Sequence, residues 1–256
     1  MTPGISTSFD PYEEKIAHLM GIEYVEIWYK DLINKTPIEL AVFKDKLDAA
    51  HIKVWSIHSP CGPDQELSEI DEDKRFRAVA VQKSLLRLAK FLGASVIVLH
   101  PGGLVAPAKR KKYEEKLFLS LFELVEEAEK FQIRYSLENL PPGNLGDHAP
   151  SLLRYVETVN SPHLGITFDT GHALLNGDLF QQYELLQEHV IHFHLSDNDG
   201  KKDLHLPPRQ GIINWDKWFE QPSIKSWNVP MVLECEPTHT PNGYKEMINE
   251  VFESVL

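Results

Sequence analysis

Two cysteines in 256 residues, Cys61 and Cys235, are too few for a disulfide framework, and so sparse a thiol content fits a reducing compartment. No apolar run approaches the ~18 residues that a membrane-spanning helix needs. The opening Met-Thr-Pro-Gly-Ile-Ser lacks the basic cluster followed by an apolar stretch that marks a secretory signal. These absences together lead to the expectation of a cytoplasmic protein. Positive charge is also scarce: 26 Lys and Arg stand against 38 Asp and Glu, a net charge of −12. The molecule as a whole repels polyanions, which counts against nucleic acid as a partner, although a local basic strip can act inside an acidic protein. No Gly-x-Gly-x-x-Gly follows the first apolar run, and there is no linker, low-complexity segment or short-period repeat.

What is present is an ordinary globular balance, 42% hydrophobic and 25% charged, which excludes disordered, collagen-like and disulfide-scaffold classes. Short runs rich in β-branched residues alternate with longer amphipathic stretches. Strands are predicted over Gly4–Ser8, Tyr24–Tyr29, Lys53–Ser59, Ser95–Pro101, Arg134–Asn139, Leu164–Asp169, Val190–Asp197 and Met231–Glu236. Helices are predicted over Pro11–Met20, Pro37–Ala50, Asp71–Leu92, Arg110–Phe131, Ala149–Val159, Leu179–Glu188, Trp215–Gln221 and Gly243–Val255. Val79, Leu85, Leu86, Leu88, Ala89 and Leu92 form an apolar stripe at helical spacing, and Leu117, Leu121, Leu124, Val125 and Ala128 form another. Strands alternating with helices read as βαβ units on a parallel sheet. Eight such units match one closed α/β barrel, a (β/α)₈ fold spanning residues 1–256 as a single domain. An open doubly wound sheet is the runner-up.

The twelve histidines are not scattered. Strand side chains alternate, so i, i+2 and i+4 share a face. Val54, Ser56 and His58 fall on one face, as do Val96, Val98 and His100. The same spacing groups Arg134, Ser136 and Glu138, then Thr167 and Asp169, then His192, His194 and Ser196, and finally Val232, Glu234 and Glu236. A His, Asp or Glu thus stands at or near the C-terminal end of six successive strands. A parallel barrel gathers those ends on one mouth, where barrel enzymes carry their chemistry. His172, Asp203 and His205 follow just beyond strands. Any one of these residues reads first as a structural histidine or a helix cap. Nine imidazoles and carboxylates at one mouth repel or stay unpaired unless something compensates them, and divalent cations do so. Mixed His/Asp/Glu ligation without thiolates suits Zn²⁺, Mn²⁺, Fe²⁺ or Co²⁺. A structural ion-pair cluster is the alternative.

Other candidates carry less. Glu26 and Trp28 share a face of the second strand, so Glu26 is placed either against a substrate hydroxyl or in a cap or core hydrogen bond. Cys61 lies near the mouth with no base specified beside it, a bystander rather than a nucleophile. Lys109-Arg110-Lys111-Lys112 opens the fourth helix, where positive charge opposes the macrodipole. Its default explanation is a solvated run, and its alternative is phosphate recognition. Gly102-Gly103 is too short for a phosphate cradle.

Several of these stretches resemble the xylose-isomerase-like barrels, a superfamily that includes sugar-phosphate isomerases and epimerases and the family 2 apurinic endonucleases. The matching pieces are Val54-Trp-Ser-Ile-His58, Val98-Leu-His100-Pro-Gly-Gly, Ser136-Leu-Glu138-Asn, Phe168-Asp169-Thr-Gly-His172-Ala, His194-Leu-Ser-Asp197-Asn-Asp, Asp203-Leu-His205-Leu-Pro-Pro and Val232-Leu-Glu234. They run in the right order over nearly the whole chain. The resemblance implies a metal site at the C-terminal mouth. Glu138, Asp169, His194 and Glu234 resemble the four ligands with which epimerase-type members hold one metal. His58, His100, His172, Asp203 and His205 resemble the extra ligands of the three-zinc endonuclease IV cluster. The expected cofactor is therefore one to three divalent ions, Zn²⁺ or Mn²⁺ foremost.

All nine positions are filled, so ligand identity does not separate the branches. Ile22-Glu-Tyr-Val-Glu26-Ile-Trp28 and Asp197-Asn198-Asp199 resemble the sugar branch, where the endonucleases usually carry Asp-Ser-Lys. Arg209 stands where a Gly usually follows Pro-Pro, a departure that implies either a different loop shape or a cation near the substrate. The resemblance implies that Glu138 and Glu234 exchange a proton with an aldose, ketose or sugar phosphate while a metal stabilises the enediolate. The alternative it implies is an endonuclease IV-like hydrolase, with two or three metals cleaving abasic DNA. A degenerate barrel that binds without turnover is disfavoured by the intact ligands.

Overall fold

The computed structural model describes residues 1–7, 19, 21–235 and 243–252. Eight parallel strands close into a barrel: β1 (Thr2–Thr7), β2 (Tyr24–Trp28), β3 (Lys53–His58), β4 (Val96–Leu99), β6 (Arg134–Glu138), β8 (Leu164–Asp169), β9 (Val190–Leu195) and β10 (Pro230–Leu233). Each pairs with its neighbours in chain order, and β1 returns to β10 through Thr2 opposite Pro230. A closed sheet leaves no strand edge. It also turns every strand's C-terminal end toward one mouth. The expected closed barrel is therefore present, and the open-sheet alternative is excluded.

The helices form where their sequence patterns place them. α1 (Pro37–Ala49) begins with a capping box in which Thr36 and Glu39 exchange bonds. α2 (Glu72–Leu92) starts at Asp71, whose carboxylate accepts from Lys74 N at 3.1 Å, and stops at Gly93, whose φ of 81° suits glycine. α3 (Arg110–Phe131), α4 (Ala149–Val159) and α9 (Gly243–Phe252) follow the expected bounds, with α6 (Leu179–Leu186) and α7 (Trp215–Glu220) slightly shorter. In the two apolar stripes Leu85, Leu86, Ala89 and Leu92 of α2 and Leu117, Leu121, Leu124 and Ala128 of α3 are buried. Leu88 and Val125 sit half-buried at their margins. Among the described residues no helix is long and apolar enough to cross a membrane. The helix expected over Pro11–Met20 lies, except for Leu19, outside the described residues, as do Ser8, Glu236 and residues 253–255.

Three features go beyond the sequence expectation. β5 (Gly102–Leu104) pairs antiparallel with β7 (Asn144–Leu145), a small flap beside the mouth. Thr170–Leu175 forms a short helix, α5, because Asp169 at its N-cap accepts from His172 N at 2.7 Å. The β2–β3 register slips by one residue, Val25 pairing Val54 but Glu26 pairing Ser56. That bulge leaves Trp55 out of the ladder and lets its indole reach His192 inside the barrel.

Candidate metal centre

The mouth assembles from the ends of successive strands. His58, Glu138 and Asp169 are the last residues of β3, β6 and β8, His194 is the penultimate residue of β9, and His100 and Glu234 each lie one residue past β4 and β10. Their ligand atoms fall into groups lying within 4.8 Å of one another. Glu138, Asp169, His194 and Glu234 form a fully buried group of four; His58 and His100 join Glu138 in a second, and His172, Asp203 and His205 form a third. Every sequence-selected ligand position is thus brought to one place. A cavity of ≈ 220 Å³ opens onto it, walled by Trp28, Leu140 and Asn144 among others.

Glu138 is the hub. Its Oε1 lies 3.1 Å from His194 Nδ1 and 3.4 Å from His172 Nδ1; its Oε2 lies 3.1 Å from His100 Nε2 and 3.6 Å from His58 Nε2. Opposite, Glu234 Oε2 lies 3.0 Å from His194 Nδ1. Asp203 Oδ2 bridges His172 Nε2 at 3.1 Å and His205 Nε2 at 3.2 Å. The second ring nitrogens are held from behind by carbonyls: His58 Nδ1 by Ser59 O, His172 Nδ1 by Asn139 O and His205 Nδ1 by Glu234 O, at 2.9 to 3.0 Å. Asn139 braces the two acidic strand ends, its amide nitrogen donating to Asp169 O at 2.9 Å and its amide oxygen accepting from Asp169 N at 2.7 Å.

Whether a divalent metal fits can be judged from the buried oxygens. Glu138 Oε2, Asp169 Oδ2 and Glu234 Oε2 are each buried without a hydrogen-bond partner. The imidazole nitrogens beside Glu138 and Glu234 approach these oxygens without hydrogen-bond alignment, so the donor atoms converge on shared points rather than on each other. Orphaned buried carboxylate oxygens are costly, and a cation satisfies all three at once. Nitrogen and oxygen donors without thiolate suit a divalent ion of the Zn²⁺ or Mn²⁺ kind. The residues fit the group.

The electrostatics agree. Burial opposes ionisation of Glu138, yet His194, His100 and His172 hold its carboxyl well below the usual range; against the same burial, His194 also lowers that of Glu234. Asp169 goes the other way, pushed up to about 7 by burial and by the Glu234 and Glu138 charges, although His172 pulls it down. Burial disfavours charge on His194 and His172, but the surrounding carboxylates raise both well above an ordinary imidazole. His205 rises to about 10, chiefly through its hydrogen bond to Asp203. The cluster demands positive charge, as protons or as metal.

The secondary candidates fare differently. Trp28 lies at the mouth, stacked on His58 with ring centroids 4.4 Å apart. Glu26 does not line the cavity: it is fully buried beneath the cluster, with its oxygens taken by Ser6, Ser56, His192 and His194. Arg209 also departs from expectation, pairing with Asp216 at 2.8 Å rather than lining the cavity. Lys109 is exposed at the end of a 3₁₀ turn and does not line it either; the neighbouring Arg110 is committed to Asp147, with both contacts at 2.8 Å, and to Asn144 O. The phosphate-recognition alternative for the basic run has no geometric support. Cys61 is exposed.

The sequence reading placed Asp197 in a motif without its organising role. Asp197 is fully buried and accepts from Trp215 Nε1 at 2.7 Å, Asn198 N at 2.9 Å and Ile213 N at 3.1 Å, while its backbone pairs with Leu206. It ties down the loop that carries Asp203 and His205. Asp197→Ala strands a buried indole N–H and two buried amides, each costing about 1–3 kcal/mol. A lower midpoint of thermal unfolding and faster tryptic cleavage at exposed Lys201 and Lys202 are expected. Wild-type values for both would show that the loop holds without Asp197.

Comparison with known proteins comes to the same architecture. A solved structure described as a D-tagatose 3-epimerase-like protein superposes with a TM-score of 0.88 at 29% identity, covering 100% of this chain and 98% of that one. An uncharacterised protein of Methanocaldococcus jannaschii is 32% identical over 210 residues, 78% of this chain and 70% of the relative. A probable endonuclease 4 of Mycoplasma mobile is 28% identical over 166 residues, 58% of each. Residues 15–253 match the family model of the xylose isomerase-like TIM barrel, and the chain belongs to that family.

Proposed function

We propose that this protein is a divalent-metal-dependent isomerase or epimerase acting on a small sugar or sugar phosphate, the whole chain serving as one barrel domain. The observation that carries the reading is the Glu138–Glu234 pair: two buried carboxylates meet at one imidazole nitrogen, His194 Nδ1, at 3.1 and 3.0 Å, each keeping an unpartnered oxygen. Two carboxylates on one small cavity can take a proton from the carbon beside a carbonyl and return it elsewhere. Glu138, Asp169, His194 and Glu234 would hold the ion, which when bound supplies the positive charge that stabilises the oxygen bearing the developing negative charge. Trp28 offers a flat apolar wall to one face of a sugar.

The cavity of ≈ 220 Å³ is smaller than the about 300–1,000 Å³ of sites that take drug-sized ligands, in keeping with a monosaccharide. Among the described residues its wall carries no Lys or Arg. The adjoining cavity, which shares Trp28, His205 and Glu234, is lined by Lys30, so the substrate is proposed as a sugar or sugar phosphate, and the net charge of −12 counts against DNA.

A second reading has its own observation. The groups His58–His100–Glu138 and His172–Asp203–His205 flank the central four, and would suit second and third ions in an endonuclease 4-like phosphodiesterase. Elemental analysis together with assays on a ketose and aldose panel and on an abasic duplex separates the two. The expected result is turnover of a monosaccharide that varies little with salt. Binding of an abasic duplex, by contrast, falls with salt at a logarithmic slope of roughly −0.9 per neutralised phosphate. Metal-dependent nicking of that duplex, lost in Glu138→Gln, with no sugar turned over, would replace the first reading by the second.

A further inference from the structure

Beneath the ligands lies a hydrogen-bond net whose direction is fixed. Glu26 sits at its centre, fully buried. Ser6 Oγ lies 3.0 Å from its Oε1, Ser56 Oγ 2.7 Å from its Oε2, His192 Nε2 3.1 Å from its Oε2 and His194 Nε2 3.1 Å from its Oε1. Two of these groups are oriented from behind by indoles, which can only donate. Trp28 Nε1 donates to Ser6 Oγ at 3.1 Å, so the hydroxyl proton is left for Glu26. Trp55 Nε1 donates to His192 Nδ1 at 3.0 Å, so His192 carries its proton on Nε2 and gives it to Glu26.

A carboxylate only accepts. Ser6 and His192 are both fixed as donors, one to each Glu26 oxygen, so the carboxyl accepts on both sides. His194 Nε2 must then carry a proton as well, so Nδ1 is the nitrogen whose lone pair is left for a metal once the proton on it is released. That nitrogen is the one facing Glu138 Oε1 and Glu234 Oε2.

We propose that Glu26 is a positioning residue: it fixes His194 with the proton on Nε2 and thereby presents Nδ1 to the metal. The inference rests on the metal reading of the mouth. Although Glu26, His192 and His194 are themselves close enough to hold an ion, they form no second site. Both Glu26 oxygens and both His192 nitrogens already have partners, in contrast to the orphaned oxygens one layer above. A carboxylate behind a ligating histidine fixes its tautomer and ring orientation and makes it a more basic ligand.

The test is a zinc titration against a competing chelator, with ¹⁵N-histidine spectra of the zinc-loaded protein, on wild type, Glu26→Gln and Trp55→Phe. Wild type is expected to show His194 protonated at Nε2 and metal-shifted at Nδ1. Glu26→Gln, with unchanged circular dichroism, is expected to bind zinc about 10–100-fold more weakly. Should Glu26→Gln fail to fold, Trp55→Phe removes only the donor to His192 Nδ1 and is expected to give His192 in mixed tautomers with weaker zinc binding. Nδ1 protonation of His194 in wild type overturns the proposal, as does unchanged zinc affinity in Glu26→Gln or an unchanged His192 pattern in Trp55→Phe. Wild type that takes up zinc while the variants match it overturns only the role of Glu26. Wild type that takes up none overturns the metal reading and, with it, this one.

Discussion

Replacing Glu138 or Glu234 by Gln is expected to lower kcat/KM by at least about 10³-fold while leaving the barrel folded. General acid–base catalysis alone typically contributes ~10²–10⁴-fold, and each Glu is also proposed as a ligand, so both contributions would fall together. The fold survives because Gln keeps the shape and neither residue belongs to the apolar layer between barrel and helices. The two variants differ in a second respect. Among the described residues Glu138 meets four imidazoles, those of His58, His100, His172 and His194, whereas Glu234 Oε2 meets those of His194 and His205, the latter at 3.9 Å. Glu138→Gln is therefore expected to lose metal from the whole cluster, and Glu234→Gln to retain more of it at the same loss of turnover. Metal content by elemental analysis beside steady-state kinetics reads both. A Glu234→Gln protein with full metal and full turnover would exclude both roles for that residue.

The architecture was legible because a parallel barrel writes itself in one-dimensional terms. Its strands are buried on both faces and read as continuous apolar runs, such as Val96–Leu99 and Pro230–Leu233. Its long helices carry stripes at helical spacing. β5 and β7 were missed because three and two residues, two of them Gly, hold no period. α5 was missed because Thr-Gly-His reads as a loop until Asp169 caps it. That these nine side chains cluster was legible for the reason that strand ends meet at the mouth.

Depth was not legible. Alternation puts Glu26 with Trp28, and His192 with His194, but it does not say that the first of each pair lies a layer lower, under the ligands rather than beside a substrate. The bulge at Trp55 breaks the alternation outright. Nor can charge spacing say which cation is free. Arg110 and Arg209 look available in the sequence, and only the fold shows Asp147 and Asp216 beside them. Asp197 was quoted as part of a motif, but its hold on Trp215 and Ile213, which lie well down the chain, belongs to tertiary structure.

Stripping divalent metal with a chelator is expected to abolish turnover, and readdition to restore it, with the barrel intact throughout. Stability should respond modestly. A ligand at about 100 times its dissociation constant stabilises by ~2.7 kcal/mol, and at roughly 2–4 °C per kcal/mol for a chain of this size the unfolding midpoint should rise by about 5–11 °C. Protons are the counterpart of the ion. His194 and His172 are raised well above an ordinary imidazole and His205 to about 10, so at neutral pH the metal-free cluster holds protons on ligand histidines. A metal binds only deprotonated ligands, and its uptake must expel them. The sign follows: apparent affinity falls as pH falls, by about tenfold per pH unit for each proton released. Calorimetric titration with Zn²⁺ in two buffers of different ionisation enthalpy counts those protons, and at least one per ion is expected, from His194. An enthalpy independent of buffer would mean that His194 already offers a free lone pair, and that the carboxylates around it are balanced by something other than protons or metal.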